Sequence, residues 1–352
     1  MVATVNVGSA PWGVAYDFGK GEVFVANEGN STVSVISDST NAVVATVNVG
    51  SRPVGVAYDL GKGEVFVANP DDNIVSVISE SNNAIVATVN VGSGPVGVAY
   101  DSGKGEVFVT NGISDTVSVI DDSTNAVVAS VNVGSDPFGV AYDSAKGEVF
   151  VANTSDKTVS VISDSNNAMV AAVPVDSFPA GVAYDSGKGE VFVTNHDGNT
   201  VSVIDDSTND VAATVKVGSR PVGVAYDSGK GEVFVANQGN STVSVISDST
   251  NDVVATVTIG SIPYFVAYDS GKSEVFVANS GSGTVSVISD STTSATSRTT
   301  TSSTTSTPSS KTTSTPVAEF PQSLVLLVLV GVLLAASMVA AGALRRGRDL
   351  HE

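Results

Sequence analysis

The chain has 352 residues, no cysteine and a net charge of −20, so it carries no disulfide framework, no thiolate nucleophile and no thiolate metal site. Up to Asp290 there are 33 Asp and Glu against 11 Lys and Arg, a net of −22, while the remainder is slightly basic. A body this acidic repels nucleic acid and anionic lipid, with screening setting in beyond about 10 Å at 0.1 M salt. It suits a protein that lives in salt or gathers cations.

Residues 2–7 (VATVNV) open the chain with a short β-type run, and a repeat begins behind them. The tripeptide Ala-Tyr-Asp recurs at Tyr16, Tyr58, Tyr100, Tyr142, Tyr184, Tyr226 and Tyr268, a spacing of 42 residues held through seven copies without insertion. A period of this size, built from four short β-rich runs separated by Gly, Asn, Asp and Ser, is that of a propeller blade. The expected fold class is therefore all-β, a seven-bladed β-propeller forming one closed domain over residues 1–290. In the second copy the four strands are expected at 54–59, 64–69, 74–79 and 85–91. The first three are apolar on both faces, as blades stacked face to face require, and the fourth alternates in part.

The two ends of the array complement each other. Residues 2–7 match a fourth strand, since Val5 plus one period lands on Val47, yet no first three strands precede them. The last copy has three strands and stops where a Ser/Thr tract begins. Pairing the N-terminal strand with the third strand of the last copy closes the ring and abolishes two exposed sheet edges. An open solenoid would need capping repeats, and none is visible.

Beyond Asp290 the composition changes. Residues 291–322 are rich in Ser, Thr and Pro and read as an extended stalk suited to O-glycosylation. Residues 323–344 contain no charge and, if helical, are long enough to cross a bilayer as a single transmembrane helix. Arg345, Arg346 and Arg348 make residues 345–352 a basic tail, which the positive-inside rule places in the cytoplasm, leaving the propeller outside. The opening MVATVNVG has neither a basic nor an apolar leader region. The expectation is a signal segment upstream of Met1, with tail insertion and a cytoplasmic propeller as the alternative.

The second strands read FVAN at Asn27, Asn69, Asn153, Asn237 and Asn279 and FVTN at Asn111 and Asn195, after a Pro-x-Gly-Val-Ala strand and before Thr-Val-Ser-Val-Ile. In these motifs residues 2–290 resemble the YVTN-type β-propeller repeat family of archaeal and bacterial surface proteins, with Phe for that family's Tyr and Ala often for its Thr. The resemblance implies a seven-bladed propeller in a surface-layer or cell-envelope protein and no single activity. Glu319-Phe320-Pro321 also resembles an archaeal signal for C-terminal processing.

If the first strand of each copy is innermost, the loops divide into two sets. On one face the hairpins barely change between copies, and this face carries Asp17 and its six equivalents together with the Asp38 series. Asx-type turns explain such residues, although carboxylates there could also bridge Ca²⁺. On the other face the residues flanking the recurrent Pro differ. Trp12, Arg52, Asp136, Phe138, Phe178, Arg220 and Tyr264 are the candidate ligand-binding residues, aromatic anchors beside orienting charges that suit a glycan or protein partner. Sequons at Asn30, Asn153 and Asn240 are expected in outward loops of this face, as glycosylation candidates.

No catalytic residue is assigned, because His196 is the one histidine up to Asp290 and stands without an acid–base partner in the sequence pattern. A quinoprotein docking pattern would need a Trp in each blade, and only Trp12 is present. The expected function is recognition, adhesion or envelope structure at the cell membrane, without catalysis and without nucleic acid. The competing class is an extracytoplasmic lactonase or lyase using His196 and Asp136 at the channel mouth.

Overall fold

The computed structural model describes residues 1–290; the stalk, the membrane segment and the basic tail expected from the sequence lie outside the described residues. Seven four-stranded antiparallel sheets follow one another, six of them ordered as their strands run in sequence and the seventh taking its outer strand from the start of the chain. Blade 1 comprises Pro11–Asp17, Glu22–Asn27, Thr32–Ser37 and Ala42–Asn48. Blade 2 begins later, at Val56–Asp59, because Pro53 to Gly55 fall outside regular strand geometry. The first strand of every blade lies at the axis, since the cavity there is lined by Gly13, Gly55, Gly97, Gly139 and Gly181 from successive blades. Among the described residues no helix is long and apolar enough to cross a membrane.

Blade 7 takes its first three strands, Pro263–Asp269, Glu274–Asn279 and Thr284–Ser289, from the end of the repeat and its fourth, Ala3–Asn6, from the start of the chain. The closing pair is antiparallel with Ala3 opposite Val287 and Asn6 opposite Thr284. Val5 is buried there against Phe276, Val285 and Val287, so the closing strand seals a core layer as well as a hydrogen-bonding edge.

The core is a set of seven layers between blades. Phe24, Val33, Val35 and Val47 of blade 1 pack on Val65, Val67 and Ile78 of blade 2, and the pattern repeats around the ring. The seven motif phenylalanines, Phe24 to Phe276, are fully buried in these layers. The motif asparagine holds the blade together from within. Asn27 Nδ2 donates to Thr32 Oγ1 (3.1 Å) and Ser34 Oγ (3.0 Å) of the third strand, which explains the recurrent serine of Thr-Val-Ser-Val-Ile.

The inner strands approach so closely that a Cβ on Gly13 would lie 2.0 Å from Val54 O, and one on Gly139 would lie 2.1 Å from Ala180 O. A bulge between Pro11 and Val14 makes this approach possible. Where the second strand reads FVTN, the threonine bridges blades. Gly97 N donates to Thr110 Oγ1 (2.7 Å), and Thr110 Oγ1 donates to Phe138 O (2.7 Å) of the next blade. Thr194 repeats the bridge between Gly181 N and Val222 O.

Two outcomes follow from this packing. Thr110→Ala leaves a buried donor and acceptor without the hydroxyl, so denaturant titration should show a loss of about 1–3 kcal/mol. Deleting residues 2–7 bares the edge of blade 7 and half of a core layer. The deletion should melt at lower temperature and aggregate by light scattering, whereas an unchanged melting point with a monomeric product would contradict the closure.

Candidate binding face

The two faces of the ring are built on different physics. On the uniform face Asp17 Oδ1 accepts from Gly19 N (2.7 Å) and Lys20 N (3.2 Å), closing the first hairpin as an Asx-type turn. The lysine of that hairpin then reaches the next blade: Lys20 Nζ donates to Glu80 O, Lys230 Nζ to Asp290 O (2.7 Å), and Lys272 pairs with Asp38 (3.1 Å) across the blade 7–blade 1 junction. Asp17 and its six equivalents are fully buried, so they serve the turns from inside the fold. Among the described residues no group of three or more His, Asp or Glu side chains is disposed to hold a metal ion.

Tyr58 shows how the carboxylates are managed. Its hydroxyl donates to Glu80 Oε2 (2.6 Å) and also faces Asp17 of the preceding blade; burial first, then hydrogen bonding to these carboxylates, pushes the phenol up. The same arrangement raises Tyr268 to about 12, with burial again the leading cause and Asp227 next. Glu22, Glu64, Glu106, Glu148, Glu190 and Glu274 are all held above the ordinary carboxylate value by burial, partly offset by the lysine two residues before each.

Because those six glutamates bind protons more readily folded than unfolded, the folded state gains protons first as pH falls toward the ordinary value of 4.5. Stability should therefore rise on mild acidification. Asp121 and Asp205, whose pKa values are lowered chiefly by hydrogen bonds from Ser123 and Ser207, act oppositely but only below the ordinary aspartate range. The melting temperature at pH 5 is expected to exceed that at pH 7.5, and a monotonic fall over this interval would count against the burial of these glutamates.

On the variable face the residue before each inner-strand proline takes a left-handed backbone: Ala10, Arg52, Asp136, Phe178, Arg220 and Ile262 all have φ between 50° and 59°, and Gly94 has 64°. For non-glycine residues this conformation is strained. It is held by main-chain hydrogen bonds such as His196 N to Phe178 O and Gln238 N to Arg220 O, both 2.9 Å. These bonds tie the fourth-to-first loop to the second-to-third loop.

The candidate residues fall into separate groups. Trp12, Phe138 and Tyr264 meet one another: Trp12 lies 4.6 Å from Tyr264 and 5.7 Å from Phe138 between ring centroids. Phe265, absent from the sequence-based candidates, joins them, stacked on Phe138 at 6.2 Å with an interplanar angle of 14°. The signal was visible in the copies, because Phe265 stands where the other six have Gly. This cluster sits at the variable-face end of an axial cavity of about 150 Å³, which Phe265 also lines. Here aromatic area is spent on contacts across the ring, joining blade 1 to blades 4 and 7.

Arg52 is engaged internally. Its Nε and Nη2 donate to Glu28 Oε1 (3.1 and 2.9 Å) and its Nη1 to Asp71 Oδ1 (3.0 Å). Asp136 N donates to Asp115 Oδ1 (2.9 Å) and Asp136 Oδ2 accepts from Ser155 Oγ (3.5 Å). Phe178 packs beside His196, ring centroids 5.3 Å apart. His196 Nδ1 faces Asp197 Oδ1 (2.7 Å) and its Nε2 faces Gln238 Oε1 (3.4 Å), while Arg220 is exposed.

The sequons divide as well. Asn30 and Asn240 are exposed. Asn153 is the motif asparagine of blade 4 and corrects the expectation: it is fully buried at the end of a strand, its Nδ2 donating to Thr158 Oγ1 (3.0 Å) and Ser160 Oγ (2.9 Å). The nitrogen that would carry a glycan is committed to the fold, and Thr154 is buried with it.

With fold and face in place, comparison with solved structures bears on the architecture. Hydrazine synthase of Kuenenia stuttgartiensis aligns with a TM-score of 0.72 and 17% sequence identity, over 80% of this chain and 95% of that one. At that identity the likeness shows the fold, a seven-bladed β-propeller, and nothing finer. No family model matches the chain, and no curated protein sequence matches it.

Proposed function

We propose that the chain is a non-catalytic recognition propeller of the cell surface, of the YVTN type, presenting its variable face outward and anchored through residues 323–344. The observation that carries this reading is the concentration of side-chain differences between copies on one face. The opposite hairpins repeat the same aspartate turns and lysine contacts from blade to blade. Thr284–Ser289, the last strand of the propeller, runs toward that uniform face, so the chain leaves the ring there. An anchor beyond it leaves the variable face free for a glycan or protein partner. Recognition is favoured over hydrolysis because His196 is occupied by Asp197 and Gln238 and the axial mouth carries stacked aromatics.

Protease treatment of intact cells, followed by mass spectrometry, tests the placement. Release of peptides containing Trp12 or Arg220 before lysis is expected. Protection until lysis would place the propeller inside and overturn the surface reading.

A further inference from the structure

The variable face contains an internal control. Ser51 to Asp59 and Ser219 to Asp227 share the sequence Ser-Arg-Pro-Val-Gly-Val-Ala-Tyr-Asp four repeats apart. Arg52 and Arg220 hold the same left-handed backbone, φ 56° and 52°. Around Arg52 two carboxylates of the chain complete the geometry, Glu28 at 2.9 Å and Asp71 at 3.0 Å. One period-for-period step to the Arg220 site replaces Glu28 with His196 and Asp71 with Gly239. Among the described residues the Arg220 guanidinium has no ion-pair partner, and Asp197, which follows His196 in the chain, faces His196 Nδ1 at 2.7 Å. The arginine is therefore presented as at Arg52 while the groups that would neutralise it are missing.

What surrounds Arg220 differs from what surrounds Arg52 in a second way. Phe178 stands where blade 1 has Ala10, packed on His196, and Gln238 places an amide 3.4 Å from His196 Nε2. An arginine fork, an aromatic ring and a side-chain amide lie in one sector, spanned by the hydrogen bonds from His196 to Phe178 and from Gln238 to Arg220.

From this pair of sites we infer that Arg220 is a carboxylate-binding subsite for the uronic acid units of an acidic polysaccharide. The ligand carboxylate takes the place that Glu28 occupies beside Arg52, where one oxygen accepts from both Nε and Nη2. Phe178 offers area to the apolar face of the sugar ring. On a body of net charge −22, the exposed Arg220 guanidinium is a local point of attraction for an anionic group. The inference rests on the recognition reading and names a ligand class for it.

The test is calorimetric titration of the full chain with oligogalacturonate, a neutral galactose oligomer of the same length, and a glutamate-rich peptide. Oligogalacturonate should bind at least about tenfold more tightly than either of the others. Arg220→Ala should lose about tenfold or more, and so should the double variant His196→Glu with Gly239→Asp, which rebuilds the Arg52 arrangement and closes the site from within. Unchanged melting temperatures identify these losses as local. Equal affinity for the neutral oligomer or the peptide overturns the sugar-carboxylate subsite. If wild type binds oligogalacturonate and Arg220→Ala binds it equally, recognition stands and this subsite falls; if wild type binds none of the three probes, the subsite falls regardless of where the propeller resides.

Discussion

Everything in this propeller depends on one constraint: no blade can bury its two apolar faces alone. Each motif phenylalanine is fully buried only because the neighbouring blade lies over it. Removing such a ring from a core costs roughly 3–5 kcal/mol, a large share of the 5–15 kcal/mol that holds a typical domain folded. Seven equivalent layers must therefore form together, and the last forms only when the N-terminal strand brings Val5 to Phe276 and Val287. A repeat of constant length follows, because an insertion within a strand would shift one layer against its neighbours.

The same constraint separates the two faces. Hairpins of the uniform face carry load between blades through lysines that reach the next blade, and a change in one copy disturbs its neighbour's hydrogen bonds as well. Loops on the other face need only their main-chain bonds to hold, so their side chains are free to differ. Charge follows the division. The carboxylates on the uniform face are offset by one lysine per hairpin and by tyrosine hydroxyls, yet six glutamates remain buried at a cost that their raised pKa values record.

Much of the architecture was legible before any coordinates, because it is written in period. The copy number and the N-terminal closure follow from spacing, and the strands of blade 2 fall within two residues of their expected bounds. The functional face was only half legible. Spacing told which positions vary, but contact across a ring joins residues far apart in sequence, as Trp12 and Phe138 are. Periodicity is also silent on burial at a strand end, which is why Asn153 reads as an outward sequon and sits inside the blade. Whether an arginine is neutralised depends on residues from the neighbouring loop, so Arg52 and Arg220 look alike until Glu28 and Asp71 are placed beside one of them.

The left-handed residue before each proline is where fold and variation meet. Glycine relaxes that backbone, yet six of seven copies carry a side chain there, including the β-branched Ile262 at φ 53°. Strain of this kind costs on the order of 1–3 kcal/mol per residue and persists only where surrounding bonds over-determine it. Six of the seven copies supply such a bond through the main-chain contact to the loop after the second strand; at Arg52 the donor position is held by Pro70, which has no N–H to give. A rigid scaffold thus holds six side chains and one glycine at equivalent positions around an axis, each replaceable without altering its neighbours' backbone. Function on such a face is decided by which of the seven remain unsatisfied. By that criterion Arg52 belongs to the internal charge balance of the ring, while Trp12, Phe138 and Tyr264, one residue past their prolines, are spent on contacts across it. Arg220, exposed and without an ion-pair partner among the described residues, is where the scaffold offers a charge that the chain itself does not consume.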